Sequence, residues 1–425
     1  MINEWVKNYQ DRQRTVQEAI SIVQSKSKII LSSFCSEPQT LLEELVRQKD
    51  RLHDVIIYNN IIGSPCVYAK AECFPNLQIR TFLGSPLLKE AYLNHSCDYI
   101  PINLSEIPRF LENENMDVAF IQVSPPNEKG YCNLGISVDF SHSLIRNAKY
   151  VVAEVNSQMP STYGDTLVHV KDIDYFVLTS RPLLAIKSGE PTSAEQKIAE
   201  FVSELIPDKA TIQVGLGSLA ESIIRALSNK KGLGIHSGSI TDAVIDLVDK
   251  GVITNEHKEI DQHKMVSTTL TGTERLYRFA HMNPLFELHP VSYTHSGSTI
   301  AMLERFHSIN SALEVDLSGQ INAEQVGPFP IAGVGGQMDF IRGAQLSNGG
   351  KSIIALPSTA KKGTQSRIKP AVSQVTSLKS DVQYVVTEYG IASLFGKSIK
   401  QRAEELLAVA HPNFREQLQY EFRKI

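Results

Sequence analysis

The chain has 425 residues, of which 42% are apolar and 21% charged, with a net charge of −4. That length exceeds one ordinary domain, and the composition is that of a globular protein with enough apolar material for two cores. The weak negative balance supplies no basic field, so neither nucleic acid nor an anionic membrane is expected as a partner.

The N-terminal segment MINEWVKNYQDRQR is polar and lacks the apolar stretch of a signal peptide, and no later run approaches the length of a membrane span. Short β-branched, apolar runs at 27–34, 53–59, 77–83, 117–124, 149–155 and 174–180 read as buried strands. Helical periodicity separates them at 37–49 and 105–115. This alternation predicts an α/β domain with a largely parallel sheet. LAIKSGEPTS (184–193) reads as a linker, and a second α/β cycle begins with a helix over 193–206. Thr192 or Ser193 is its expected N-cap, with Glu195 or Gln196 near the third position. Strands are predicted at 210–215, 233–237, 289–294, 351–357 and 382–388, and helices at 218–230, 241–251, 398–410 and 414–422. The expected division is an N-terminal α/β domain over 1–185 and a C-terminal one over 190–425.

Cys35, Cys66, Cys73, Cys97 and Cys132 are odd in number and show no C-x-x-C spacing. They read as reduced, buried thiols of a cytoplasmic protein rather than as a disulfide framework or zinc site. No His, Asp or Glu pair has metal-ligand spacing, so no metal is expected.

Two glycine-dense turns stand out. In VGLGS (214–218), Gly215 and Gly217 join a strand to a helix, an arrangement that leaves backbone N–H groups free to hold a phosphate or an oxyanion. GVGG (333–336) has no room for packing side chains, which points to special backbone conformation or close ligand approach. VGLGS alone is also ordinary turn chemistry. It is neither a full G-x-G-x-x-G nor a P-loop, and no acidic ribose partner completes a dinucleotide fingerprint.

These turns, with IHSGSITDAVIDLVDKGVIT (235–254), VTEYGIASLFGK (386–397), VSPPNEKGYCNLGISVDF (123–140), AEVNSQMPSTYGD (153–165), SALEVDLSGQINAEQVG (311–327) and AHPNFREQL (410–418), resemble the acetyl-CoA hydrolase/transferase family, which includes the 4-hydroxybutyrate CoA-transferases. The resemblance implies two open α/β domains with mostly parallel sheets and an active site in the cleft between them. It implies oxyanion-hole N–H groups from Leu216 and Gly336, CoA contacts from Val214, Gly215, Leu216, Gly217, Ser218, Gly333, Gly335, Gly336 and Lys361, and no cofactor beyond CoA as substrate. The expected partners are an acyl-CoA and a small carboxylate or other acyl acceptor, and a homo-oligomer is left open.

One position departs from the family. Two residues after His236 the family usually carries a glutamate that takes the acyl group and then CoA covalently; here that position is Gly238. Glycine cannot form those intermediates. Water or a substrate carboxylate could take the vacated space, Ser237 or Ser239 could accept the acyl group, or the site could bind CoA esters without chemistry. Ser239 reads better as the cap of the next helix, and His236 better as a core histidine than as a base. His295, in SYTHSGS (292–298), repeats the His-Ser-Gly string and is a second candidate. The reading is an acyl-CoA-processing enzyme in which hydrolysis or direct acyl transfer replaces ping-pong CoA exchange; the alternative is a non-catalytic or regulatory CoA-ester-binding protein.

Overall fold

The expected strands assemble into two separate sheets in the computed structural model, which describes residues 4–60 and 64–424. In the first unit seven strands lie in the order Cys97–Tyr99, Leu77–Thr81, Val55–Asn59, Lys28–Leu31, Met116–Val123, Ala148–Asn156 and Tyr175–Thr179, all parallel. Ile29 pairs with Ile57 on one side and Val118 on the other. Strands covered on both faces must be apolar throughout, which is why KIIL and DVAFIQV lack polar alternation. Helix Gln39–Arg47 buries Leu41, Leu42 and Leu45 against this sheet, in a cluster with Ile29, Leu31 and Phe120.

In the second unit Gly234–Ile240, Thr211–Val214, Phe306–Ser311, Lys351–Ala355 and Tyr384–Thr387 run parallel, and Gly390–Ser393 closes one edge antiparallel. Both sheets grow outward in two directions from a central strand. That reversal creates a topological switch point, between Lys28–Leu31 and Met116–Val123 in one unit and between Thr211–Val214 and Phe306–Ser311 in the other. In open α/β sheets ligands bind outside the carboxyl ends of the strands at such points. VGLGS begins at one of them.

The compact units are not contiguous. One comprises 1–186, 267–293 and 329–333; the other comprises 187–266, 294–328 and 334–425. The chain passes from the first unit to the second at 186–187, and 267–293 returns to the first. Backbone hydrogen bonds explain this: Leu270 N–H donates to Ile136 C=O at 2.8 Å, Val291 N–H to Asp139 C=O at 3.0 Å, and Asp165 N–H to Leu288 C=O at 2.8 Å.

Some local expectations change as well. The predicted strand at 289–294 is the short helix Val291–Thr294, consistent with the poor fit of Pro290 in a central strand. The strand predicted at 233–237 continues to Ile240, and the next helix starts only at Ala243. Thr192 caps helix Ser193–Leu205 in a full capping box with Glu195. All five cysteines are buried and unpaired, and burial pushes the thiols of Cys66, Cys97 and Cys132 up to about 12. Among the described residues no helix is long and apolar enough to cross a membrane.

Candidate active site

The VGLGS turn extends the central strand by one pairing, because Gly215 N–H donates to Ile309 C=O at 3.0 Å. Gly217 then takes φ +106° and serves as the N-cap of helix Ser218–Ala226. Glycine is required there by the backbone and not by space, since a Cβ would meet nothing within 4 Å. Leu216 lies between the strand end and the Gly217 N-cap, and Gly336 is the N-cap of helix Gln337–Leu346. The Ser218 hydroxyl donates to Glu195 Oε1 at 2.6 Å and ties two helix starts together. Beneath the turn, Gln213, Ser308 and Asn310 form a buried ladder. Ser308 Oγ donates to Gln213 Oε1 at 2.9 Å, and Asn310 Nδ2 donates to Ser308 Oγ at 2.9 Å. Sequence reasoning missed this ladder because its polar residues break the apolar strand signature.

Gly238 lies within strand Gly234–Ile240 and not at a helix start. Side chains alternate along a strand, so His236 and Gly238 share one face while Ser237 and Ser239 share the other. This removes the two serines as replacements for a side chain on residue 238. Ser237 Oγ instead donates to Val214 C=O at 3.3 Å. Asp242, not Ser239, is the N-cap of helix Ala243–Asp249 and makes no side-chain cap bond. The nearby Glu221 is buried; desolvation raises its carboxyl, and the Arg225 guanidinium 3.8 Å away opposes the shift.

On the Gly238 face the structure brings together residues from three stretches of chain. His236 is fully buried, with Nε2 2.9 Å from the Thr294 carbonyl, and its ring stands edge-on to Phe306. It is a core histidine. His295 is the one that reaches the site. A Cβ on Gly238 would lie 3.1 Å from His295 Nε2 and 3.3 Å from its Cε1, and a Cβ on Gly336 would lie 2.5 Å from the same Nε2. The imidazole therefore borders the space that a side chain on residue 238 would enter, so water or a substrate carboxylate is not its only neighbour. Phe340 packs on the ring with centroids 4.5 Å apart, and Nδ1 is 2.8 Å from Thr294 Oγ1. Phe340 belongs to a small core with Ile300, Leu303, Phe306 and Ala344, which fixes the ring from behind.

The GVGG turn divides in role. A Cβ on Gly333 would lie 3.0 Å from the Phe82 carbonyl and 2.9 Å from Leu83, so close chain packing requires a glycine there. Gly335 takes a left-handed φ of +53°, and Gly336 is the N-cap of helix Gln337–Leu346. Lys361 is exposed at the tip of the hairpin Thr359–Ala360/Gln365–Ser366, where Lys361, Lys362 and Gly363 all have positive φ. Holding two lysines in that region costs about 1–2 kcal/mol each, and it projects an unburied cation from the loop after strand Lys351–Ala355.

Burial alone pushes His295 down to about 3; burial, with the Lys351 and Arg305 cations adding to it, pushes His307 down to about 4. The unfolded chain binds a proton on each histidine near pH 6.5 that the folded protein refuses, so their stability contribution is complete above that pH and lost as pH falls toward 3–4. Glu37 and Asp139, raised to about 7 by burial, act in the opposite direction, holding protons in the folded state that the unfolded chain has lost above about pH 4. Because these oppose, the contribution of His295 is best seen by difference. His295→Asn should remove a dependence of up to about 1.4 kcal/mol per pH unit below pH 6.5. Urea midpoints of both proteins at about pH 7 and about pH 5 check this; parallel curves would contradict it.

Doubly wound sheets with a glycine turn at the switch point and a second glycine at a helix N-terminus are the features of an open α/β protein that takes its ligand at the strand ends. The chain belongs to the acetyl-CoA hydrolase/transferase family: the family model for the N-terminal domain matches residues 3–186 and that for the C-terminal domain residues 272–422. It is 41% identical over 426 residues to a 4-hydroxybutyrate coenzyme A transferase of Clostridium kluyveri, covering 99% of both chains. It is 36% identical to a succinyl-CoA:cyclohexane-1-carboxylate CoA transferase of Geobacter metallireducens, covering 97% of this chain and 95% of that one. Among solved structures, RipA from Yersinia pestis superimposes with a TM-score of 0.95 at 30% identity over 99% of both chains. A 4-hydroxybutyrate CoA-transferase from Porphyromonas gingivalis gives 0.85 at 33% identity, over 99% of this chain and 100% of that one. Membership makes this an acyl-CoA-processing protein of the CoA-transferase and acetyl-CoA hydrolase type.

Proposed function

We propose that this protein cleaves acyl-CoA thioesters by direct attack of water or of a small acceptor on the acyl carbonyl, without the covalent carboxylate intermediate of ping-pong CoA exchange. The observation that carries this reading is Gly238: no carboxylate can be presented from the strand face that it shares with His236. The N–H groups of Leu216 and Gly336, each at a glycine turn that opens a helix, are the proposed oxyanion donors. One such donor contributes about 10²–10³ in rate. The CoA contacts proposed are the backbone of Val214, Gly215, Leu216 and Gly217, together with Gly335, Gly336 and the Lys361 cation. No cofactor beyond CoA as substrate is part of the proposal.

The test follows thiol release and CoA exchange separately over a panel of short acyl-CoAs, with and without acetate. Thiol release without acetate-dependent exchange is expected. Exchange that outpaces thiol release would refute the reading. CoA should also raise the melting temperature, because a ligand of the native state alone adds RT ln(1 + [L]/Kd). A protein that shows the shift but no turnover is the CoA-ester-binding protein of the alternative reading.

A further inference from the structure

We propose that Gln213, Ser308 and Asn310 are positioning residues for the Leu216 oxyanion donor, their buried ladder holding the VGLGS turn where its N–H meets the acyl oxygen. The inference rests on the function proposed above. Strand register sets Gln213 opposite Ser308 and Val214 opposite Ile309. Side chains alternate along each strand, so Gln213 and Gly215 share a face with Ser308 and Asn310. All three polar side chains are buried there, on the two strands that flank the switch point.

The ladder is reciprocal. Gln213 Nε2 donates to Asn310 Oδ1 at 3.2 Å, and Asn310 Nδ2 donates back to Gln213 Oε1 at 3.2 Å. Ser308 bridges the pair, accepting from Asn310 Nδ2 and donating to Gln213 Oε1, each at 2.9 Å. Two carboxamides bonded head to tail do not rotate separately, because turning either one leaves a buried donor and acceptor of the other unmade. The turn hangs from the end of this ladder. Gly215 N–H donates to the Ile309 carbonyl at 3.0 Å, and that carbonyl belongs to the peptide bond into Asn310. A Cβ on Gly215 would lie 3.9 Å from Asn310 Oδ1, so the carboxamide also stands beside the first glycine of the turn. The Leu216 N–H lies in the peptide that leaves Gly215, a residue with no side chain of its own to fix its conformation.

The fold alone does not call for such a ladder. Strands at the centre of a parallel sheet are ordinarily apolar, and apolar side chains of like volume would fill this layer without desolvating two amides and a hydroxyl. What the ladder adds is direction, because hydrogen bonds fix orientation where apolar packing fixes only volume. An oxyanion donor needs that direction. It has to be held to within about 0.5 Å by bonded residues behind it, and a displacement of about 1 Å costs up to about 10²-fold in rate.

The test sets turnover against stability. In the triple variant Gln213→Leu/Ser308→Ala/Asn310→Leu no polar partner is left stranded, so its melting temperature should stay near that of the wild type. Its kcat for a short acyl-CoA should fall by about 10–10²-fold. KM and the CoA-induced melting shift should change little, because the oxyanion exists only in the transition state. A ladder that served the fold alone would give the reverse, a lowered melting temperature with wild-type kcat. That result overturns the proposal, as does wild-type kcat at an unchanged melting temperature or a loss carried by KM alone. If the triple variant does not fold, Ser308→Ala, which removes only the bridging hydroxyl, decides: lower kcat at unchanged KM supports the ladder, and wild-type kcat refutes it. Thiol release and acetate-dependent exchange are followed separately, since the donor serves both. A wild type that exchanges CoA instead of hydrolysing overturns the hydrolytic reading alone, and the same comparison is then made on the exchange rate. A wild type with neither activity overturns both proposals together.

Discussion

The double variant Gly238→Glu/His295→Ala should exchange CoA between an acyl-CoA and acetate through a glutamyl adduct, an activity expected to be absent from the wild type. Residue 238 does not have a left-handed φ, so a Cβ there carries no backbone penalty. The obstacle is the neighbour. In the single variant Gly238→Glu, the Cβ would press on His295 Nε2 at 3.1 Å and on Phe340 Cε2 at 3.4 Å. Overpacking of this kind costs about 1–3 kcal/mol, and the ring would stand where the carboxylate must turn. Truncating His295 opens that space. A melting curve restored toward wild type in the double variant, together with acetate-dependent exchange, is the expected pair of results. A double variant that folds, binds CoA and yet shows neither exchange nor adduct would mean that more than one group of the transferase site has been lost.

Gly336→Val should be the most damaging single substitution at the site. Its Cβ would sit 2.5 Å from His295 Nε2 and 3.3 Å from Phe340 Cε2, in a ring pair that is packed from behind and cannot retreat. Displacing the helix N-terminus also moves the Gly336 N–H. We expect a loss of about 1–3 kcal/mol in stability and of about 10²–10³ in turnover from the misplaced donor, with the CoA-induced melting shift reduced. A variant with wild-type turnover would remove Gly336 from the oxyanion site.

Much of the scaffold is legible in the sequence because buried parallel strands have to be apolar. The runs at 27–34, 53–59 and 117–124 could hardly be anything else. The central strand Phe306–Ser311 is not legible, since His307, Ser308 and Asn310 make it polar, and their partner Gln213 lies 95 residues from Ser308. Ser237, Gly238 and Ser239 look like a turn by residue type, yet pairing in the sheet carries the strand through them to Ile240. Helix Gln337–Leu346 is hidden behind GVGG, whose glycines signal the turn and leave the helix beyond it unmarked. The grouping of 267–293 with the first unit depends on backbone bonds to Ile136 and Asp139, which no local pattern announces.

The site divides along the same line. The turn at VGLGS and the missing nucleophile at Gly238 are local features and can be read directly. That His295 and not His236 borders Gly238 depends on strand alternation and on the short helix Val291–Thr294, which residue pattern alone suggests as a strand. The signal present, a second His-Ser-Gly string, points to the residue but not to its neighbour.

Intact mass of the protein, quenched during turnover of a short acyl-CoA in the presence of acetate, tests the central claim most directly. The account predicts release of CoA thiol from a protein whose mass is unchanged throughout. A mass increase equal to the acyl group or to CoA, mapped to a carboxylate such as Asp242 or Glu221, would contradict it and restore a covalent transferase mechanism.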